Sequence, residues 1–363
     1  MSTFFSDWPA ENLLQLYASP DVEVASGRSR KAVRVWVPGP YARGEAFRYL
    51  LGISPAWRGH FSRRWLNKTM DGWMPDLVYA FVYSGETLNY AAWIAKSLGR
   101  PLIAHVADDG IENFGRAGGA SVRRILSEAQ ARIVISEEMR VEYERRYELP
   151  FEILHNGAAE EFFEGAEFGM NDELVVRYLG SVVPNHHFNS IEDIASAVRQ
   201  FNQSGGKARF EICGGEWTRE HGASIADGDA VIYRGAVDRE TGRRLLQTAD
   251  LLVVPVTFDR RDFSSVRFSL PTKVPEYLAS GSPTLIYGPE GAAPVEFCRR
   301  HNVGSVLTER SVPRLVEFLE RLAMDPITLR TKAKEDREYI RQHFSAAAAR
   351  LKFTSILTTS AGR

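Results

Sequence analysis

Asp250-Leu-Leu-Val-Val-Pro255 is a strand-length run with nothing polar between its aspartate and its proline. A strand with one face in water alternates polar and apolar residues, so an unbroken apolar strand is buried on both faces. That is the condition of a strand inside a parallel sheet whose crossover helices cover both sides. The rest of the chain keeps the rhythm such a sheet requires. Asp76–Val82, Pro101–Val106, Arg132–Ser136 and Phe151–Leu154 read as strands. Between the first two, a helix at 85–98 places Leu88, Ala92, Ala95 and Leu98 on one side and closes at Gly99. A charged helix follows the third strand to Tyr147. The pattern restarts at Leu174–Leu179 and continues with strands at 208–213, 230–233 and 304–307. Helix 190–201 carries Ile191, Ile194, Val198 and Phe201 at spacings of three and four, and further helices are expected at 238–248, 312–323 and onward to 358. Strands alternating with helices predict an α/β protein with parallel sheets.

A chain of 363 residues exceeds one ordinary core and fits two domains of roughly 150–200 residues. The expected division is an N-terminal Rossmann-like domain at 1–160, an acidic, glycine-containing linker at 161–173, and a C-terminal Rossmann-like domain at 174–345. A C-terminal helix at 346–363 can pack back on the N-domain. Two such domains facing a cleft would carry ligands at the carboxyl ends of their strands. Composition is that of a soluble globular protein, 44% hydrophobic and 25% charged. A net charge of −1 lacks the basic surplus that nucleic-acid binding needs. Cys213 and Cys298 cannot form a disulfide framework or a zinc site by themselves, and Cys213 sits in a strand-like run as a buried thiol. With neither a signal-peptide pattern nor a membrane-length apolar run, the expected location is cytoplasmic.

The first residues, 3–20, read as an aromatic stretch and then a helix holding Leu13, Leu14, Leu16 and Tyr17 after Asp7 and Pro9. Lys31–Val37 reads as a strand ended by Pro38-Gly39-Pro40. In residues 41–74, Arg43, Arg48, Arg58, Arg63, Arg64 and Lys68 interleave with Phe47, Trp57, Phe61, Trp65 and Trp73. Such a segment is either a surface helix with its rings in the core or a surface for anionic lipid headgroups.

The chemistry concentrates at Ser269–Tyr287. Pro271 and Pro275 mark a helix start, Gly281 its left-handed close, Pro283 its stop and Thr284–Tyr287 a strand. Lys273 and Glu276 lie three apart on one helical face, beside the free N–H groups of the helix start. That is an anion site with a carboxylate at its rim, suited to a nucleotide diphosphate and its ribose. Gly180-Ser181, Gly214-Gly215 and Gly235 also follow C-domain strands and are expected to converge on the same place.

These residues resemble retaining glycosyltransferases of the GT-B fold, family four. The likeness runs through Tyr178-Leu-Gly-Ser181, Arg234-Gly-Ala-Val237, Ala249–Pro255 and Pro271-Thr-Lys-Val-Pro-Glu-Tyr-Leu-Ala-Ser-Gly-Ser-Pro283, and in the N-domain through His105-Val-Ala-Asp-Asp109, Ile135–Met139 and Leu154-His-Asn-Gly157. It covers roughly residues 76–345. The resemblance implies transfer of a sugar from a nucleotide-diphosphate sugar to a hydroxyl acceptor, with no metal or other cofactor. Glu276 would bind the ribose hydroxyls and Lys273 would lie near the diphosphate. Backbone N–H groups of Ser269–Thr272 would hold the leaving diphosphate, as would Gly180 and Ser181. Gly214, Gly235 and Val237 would line the donor site, His105 would contact the transferred sugar, and Asp108 and Asp109 would bind the acceptor or cap a turn. Partners would be the nucleotide sugar and a saccharide or lipid-linked acceptor, in polysaccharide or glycolipid synthesis, at the inner face of a membrane reached through residues 41–74.

The sequence departs from the family in three places. Phe268 stands eight residues before Glu276, where the family has a second glutamate. The loop after Gly180, Val182-Val-Pro-Asn-His-His-Phe188, lacks the family's arginine and lysine, so Lys273, Arg267, Arg260, Arg261 or a protonated His186 or His187 is left to meet the diphosphate. The family opens on a strand and a glycine-rich loop. Here either strand 31–37 takes that role or the strand is missing. Rival readings are a nucleotide-sugar 2-epimerase, an inverting GT-B enzyme and a catalytically silent nucleotide-sugar binding module.

Overall fold

The computed structural model describes residues 3–17, 31–34, 62–112, 115–165 and 173–360. The fold is α/β, with every paired strand parallel. Two compact units divide the chain. The first takes residues up to Ile135, Met139–Leu154 and the chain from Arg350; the second takes Ser136–Glu138 and His155–Ala349. Of the basic aromatic segment, only the part from residue 62 is described, including a helix Arg63–Met70 capped by Ser62; the rest lies outside the described residues.

In the first unit β1 (Leu14–Tyr17) pairs with β2 (Lys31–Arg34). Of the helix expected at 3–20, the described part instead holds a short turn of helix at Ala10–Asn12 and the strand Leu14–Tyr17, whose Leu14 and Leu16 share one face across Gln15. A second sheet runs in the order β3 (Val78–Val82), β4 (Leu102–Val106), β5 (Ala131–Val134), β6 (Glu152–Ile153). Tyr79 on β3 packs against Phe5 and against Phe353 of the helix Ala346–Ser360, where Phe4 and Trp8 join them. An Asp7–Arg350 ion pair of 2.8 Å closes this cluster.

The second unit holds six strands: β7 (Leu174–Leu179), β8 (Ala208–Cys213), β9 (Val231–Gly235), β10 (Leu251–Pro255), β11 (Thr284–Tyr287) and β12 (Ser305–Leu307). Their spatial order is β12-β11-β10-β7-β8-β9. Leu251 and Val253 enter one core with Val176, Phe210, Ile194 and Phe318, while Leu252 and Val254 enter another with Ile286, Val274, Leu278 and Val295. None of these four β10 residues is more than 2% exposed. The unbroken apolar run thus fills both faces of the sheet. The segment expected as a linker begins inside this unit, since Phe162 and Phe163 are buried in the second core.

Charge also lies within the sheet. Arg177 on β7 and Glu211 on β8 are register partners, and Arg177 Nε donates to Glu211 Oε2 at 2.6 Å. Arg209 Nε donates to Oε1 at 2.9 Å, and Arg234 donates to the same oxygen. Burial alone would raise the wholly buried Glu211 carboxyl, but hydrogen bonds from Arg234 and Arg177, with the Arg177 charge, hold it at about 2. A carboxyl depressed from 4.5 contributes stability that is complete above its unfolded value and lost as pH falls through about 2. Glu211→Gln leaves the arginines uncompensated and is expected to cost about 3–5 kcal/mol at neutral pH. Urea midpoints at pH 7 check this; equal midpoints for variant and wild type would remove the ion pair from the account of stability.

Candidate functional site

From β7 the chain moves to β8 on one side of the sheet, and from β10 to β11 on the other. The connections therefore diverge between β7 and β10, and a crevice opens beyond the carboxyl ends of strands at such a switch point. Gly180 follows β7 there. Its φ of +153° disfavours any side chain, and an added Cβ would strike the Lys273 ammonium. Its N–H donates to Cys213 O at 2.9 Å, and Thr218 Oγ1 donates to its carbonyl at 3.2 Å. Gly214, just beyond β8, has no room for a Cβ against Gly180 O and Thr218. Its N–H donates to Gly235 O at 2.9 Å, and Tyr233 Oη donates to its carbonyl at 2.9 Å. Gly235, at φ +75°, ends β9. The glycines expected to converge do so, on adjoining strand ends.

The helix Lys273–Ser280 starts beside them, with Thr272 at its N-cap and Gly281 closing it at φ 80°. Tyr277 fixes it to β7: its Oη accepts from Leu179 N at 2.7 Å and donates to Leu179 O at 2.9 Å. The first turn is thereby held next to Gly180. Lys273 Nζ donates to Tyr178 Oη at 2.8 Å and lies 4.3 Å from that ring's centre. Burial lowers the ammonium to about 8, while the Glu276 charge acts to raise it. Glu276 is half-buried. Burial raises its carboxyl to about 7, against the pull of Arg239 and Lys273. Lys273 and Glu276 thus share the expected face, but the ammonium's hydrogen bond goes to a phenol.

The remaining candidates are placed less simply. Ser269 N–H donates to Val266 O at 3.0 Å, so that donor is already engaged. Thr272 is exposed and makes no side-chain capping bond. Ser181 is exposed and turns its carbonyl toward Tyr178 Oη, 2.7 Å away. Val237 is half-buried just before the helix Arg239–Gln247. His187 does not serve as a cation, because burial and the neighbouring Lys273 charge lower it to about 4. Arg267 lies over the buried Phe268 ring at 4.3 Å. Arg260 and Arg261 open an exposed helix, Arg260–Val266.

In the first unit His105 is fully buried, its Nδ1 2.6 Å from Tyr79 Oη and its ring against Phe81 and Phe4. Burial lowers it to about 3, so it is neutral. Asp108 is exposed, and Asp109 forms an ion pair with Arg146 at 3.1 Å. Cys213 and Cys298 are buried free thiols, and burial pushes Cys213 up to about 11. Among the described residues no group of His, Cys, Asp or Glu is arranged to hold a metal ion, and no helix is long and apolar enough to cross a membrane. Sequence reasoning missed Tyr178, Tyr277, Thr218 and Arg239. Tyr178 lies in a strand and Tyr277 in a helix, where each reads as core, and only the fold shows which hydroxyl meets which strand end.

Gly180→Ala is expected to destabilise the protein by about 1–3 kcal/mol through the forced φ and the collision with Lys273. Lys273→Met in the same chain relieves the collision but not the φ. Thermal unfolding of the double-mutant cycle reads this as non-additivity; strict additivity would place the ammonium away from Gly180.

No protein-family model matches the sequence, and no curated protein does. Solved structures share its fold. A sucrose-phosphate synthase from Thermosynechococcus elongatus is 17% identical with a TM-score of 0.69, over 96% of this chain and 88% of that one. A glycosyltransferase from Rickettsia africae is 10% identical with a TM-score of 0.67, over 96% and 97%. HepE from Anabaena, in complex with UDP and glucose, is 14% identical with a TM-score of 0.65, over 92% and 87%.

Proposed function

We propose that this chain is a glycosyltransferase that moves a sugar from a nucleoside-diphosphate sugar to a hydroxyl acceptor, with retention at the anomeric carbon. The observation that carries the reading is the placement of Lys273 and Glu276 at the β7/β10 switch point, on the helix that Tyr277 ties to the strand ending in Gly180. The UDP and glucose in the HepE structure support it. Glu276, as a carboxylate, accepts hydrogen bonds from two ribose hydroxyls. Lys273 meets the diphosphate and stabilises the charge that grows on it as the anomeric C–O bond breaks. The acceptor hydroxyl forms the new bond on the same face and passes its proton to the departing phosphate oxygen. Lys273 supplies this neutralisation without assigning a step to a metal. The acceptor is a saccharide or lipid-linked saccharide recognised in part by the exposed Asp108; Asp109 is a structural partner of Arg146. A role at an anionic membrane surface rests on the composition of residues 41–74 alone.

Calorimetry with UDP, GDP and ADP tests the site. Glu276→Ala is expected to weaken nucleotide binding by about 1.5–3 kcal/mol, the range for a hydrogen bond to a charged group. The pH dependence follows from both residues. Affinity falls as pH drops through about 7, where Glu276 takes up a proton, and falls again as pH rises through about 8, where Lys273 gives one up. A maximum between these values is expected; a flat profile would remove both side chains from the site. Anomeric analysis of the product, with and without added Mn²⁺, tests retention and metal independence. Interconversion of the donor with no acceptor present would make the protein an epimerase, and binding without turnover a silent module.

A further inference from the structure

We propose that Tyr178 and His187 are positioning residues that hold the Lys273 ammonium beside Gly180 as the binding point for a diphosphate, in place of a cation on the loop after β7. The identity of the anion rests on the donor-site reading above; the device itself rests on geometry.

A cation withdrawn from water is ordinarily matched by a carboxylate. Among the described residues Lys273 has no ion pair within 4.0 Å. Its hydrogen bond goes instead to a neutral phenol, at 2.8 Å. That phenol's own proton is directed to Ser181 O at 2.7 Å, so its lone pairs face the ammonium. His187 Nε2 lies 2.9 Å from the same Oη and also contacts Ser181 O. Nε2 therefore meets a carbonyl acceptor and a phenol at once, and the ring is tied to the Gly180–Val183 turn in either tautomer. The Val183 N–H also donates to that nitrogen, at 3.3 Å. The Tyr178 hydroxyl thus fastens the Ser181 carbonyl, His187 holds the same turn through Val183, and the turn Gly180–Val183 closes over Tyr178.

The arrangement leaves the ammonium anchored but not neutralised. It has three donors, of which the phenol takes one. The absent side chain of Gly180 is what lets the ammonium lie against the turn, and the neighbouring Ser181 is exposed. The titratable and charged groups around it are Tyr178 on β7, His187 and His186 in the following turn, and Glu276 on its own helix; Arg239 and Glu161 bear on Glu276. His187 is neutral across the working range, so it shapes the turn without adding charge.

The test is calorimetry on the full chain over about pH 6–9. The probes are UDP, GDP and ADP, their nucleosides and inorganic pyrophosphate. Tyr178→Phe keeps the ring and removes the acceptor. It is expected to weaken diphosphate binding about tenfold or more while leaving nucleoside binding unchanged. The high-pH loss of affinity should also move to lower pH, because an ammonium without its acceptor gives up its proton more readily. His187→Leu should behave likewise. His187→Gln, whose amide can donate to Ser181 O, should restore most of the affinity. Lys273→Met sets the reference for complete loss of the diphosphate contribution. Equal losses for nucleoside and diphosphate, or an unmoved pH profile in Tyr178→Phe, would overturn the proposal while the donor site stands. Wild-type binding to none of the probes would overturn both. The half-exposed His187 pair keeps the test decisive should Tyr178→Phe fail to fold.

Discussion

A sheet buried on both faces leaves its polar chemistry few places to go. β10 offers apolar side chains to two cores at once, so nothing on its length can face a ligand. Recognition is displaced to the strand ends, where backbone turns outward and neighbouring chains come close. The glycines at 180, 214 and 235 follow from that crowding. At 180 and 214 a Cβ would meet Lys273, Thr218 or a carbonyl oxygen; at 235 the constraint is a positive φ. The order of the strands then decides which ends matter, because the connections part only between β7 and β10.

Two buried charges in the second unit show opposite solutions to desolvation. Glu211 sits in the sheet with arginines from β7, β8 and β9 on its oxygens, and its carboxyl is driven far down. Three arginine hydrogen bonds cover both of its oxygens, so the group contributes rigidity to the sheet. Lys273 sits beyond the carboxyl end of the central strand β7, on a phenol, and burial brings it down toward neutrality. A charge held this way is costly when the site is empty and is satisfied by an incoming anion. The first belongs to the fold, and the second is the group that our proposal gives to an anion.

The alternation of strands and helices from residue 76 onward was legible because periodicity reports burial directly, and burial is what the parallel sheet imposes. The helix at 273–280 was legible for a different reason: prolines and Gly281 restrict φ locally, whatever surrounds them. The segment at 3–20 was misread because a short run of leucines has no decisive period, and β1 gains its hydrogen bonds from β2, a partner distant in sequence. Phe162 and Phe163 read as loop because their burial depends on helices more than a hundred residues away. At the site, Lys273 and Glu276 were visible as charges on one helical face and His187 as a candidate cation, whereas the hydroxyls of Tyr178 and Tyr277 were not. A tyrosine in an apolar strand carries no mark of where its hydroxyl will point.

Sequence alone determined the α/β class, the run of turns after the strands and the helix that carries Lys273 and Glu276, because each rests on local φ restriction or on the period of apolar residues. Tertiary structure decided three things. It set the strand order that makes the end of β7 a switch point. It left His187 neutral by burying it beside an ammonium, and it placed His105 under Phe4 with its Nδ1 on Tyr79. All three depend on which distant surfaces exclude water from a side chain, and desolvation is a property of the packed chain.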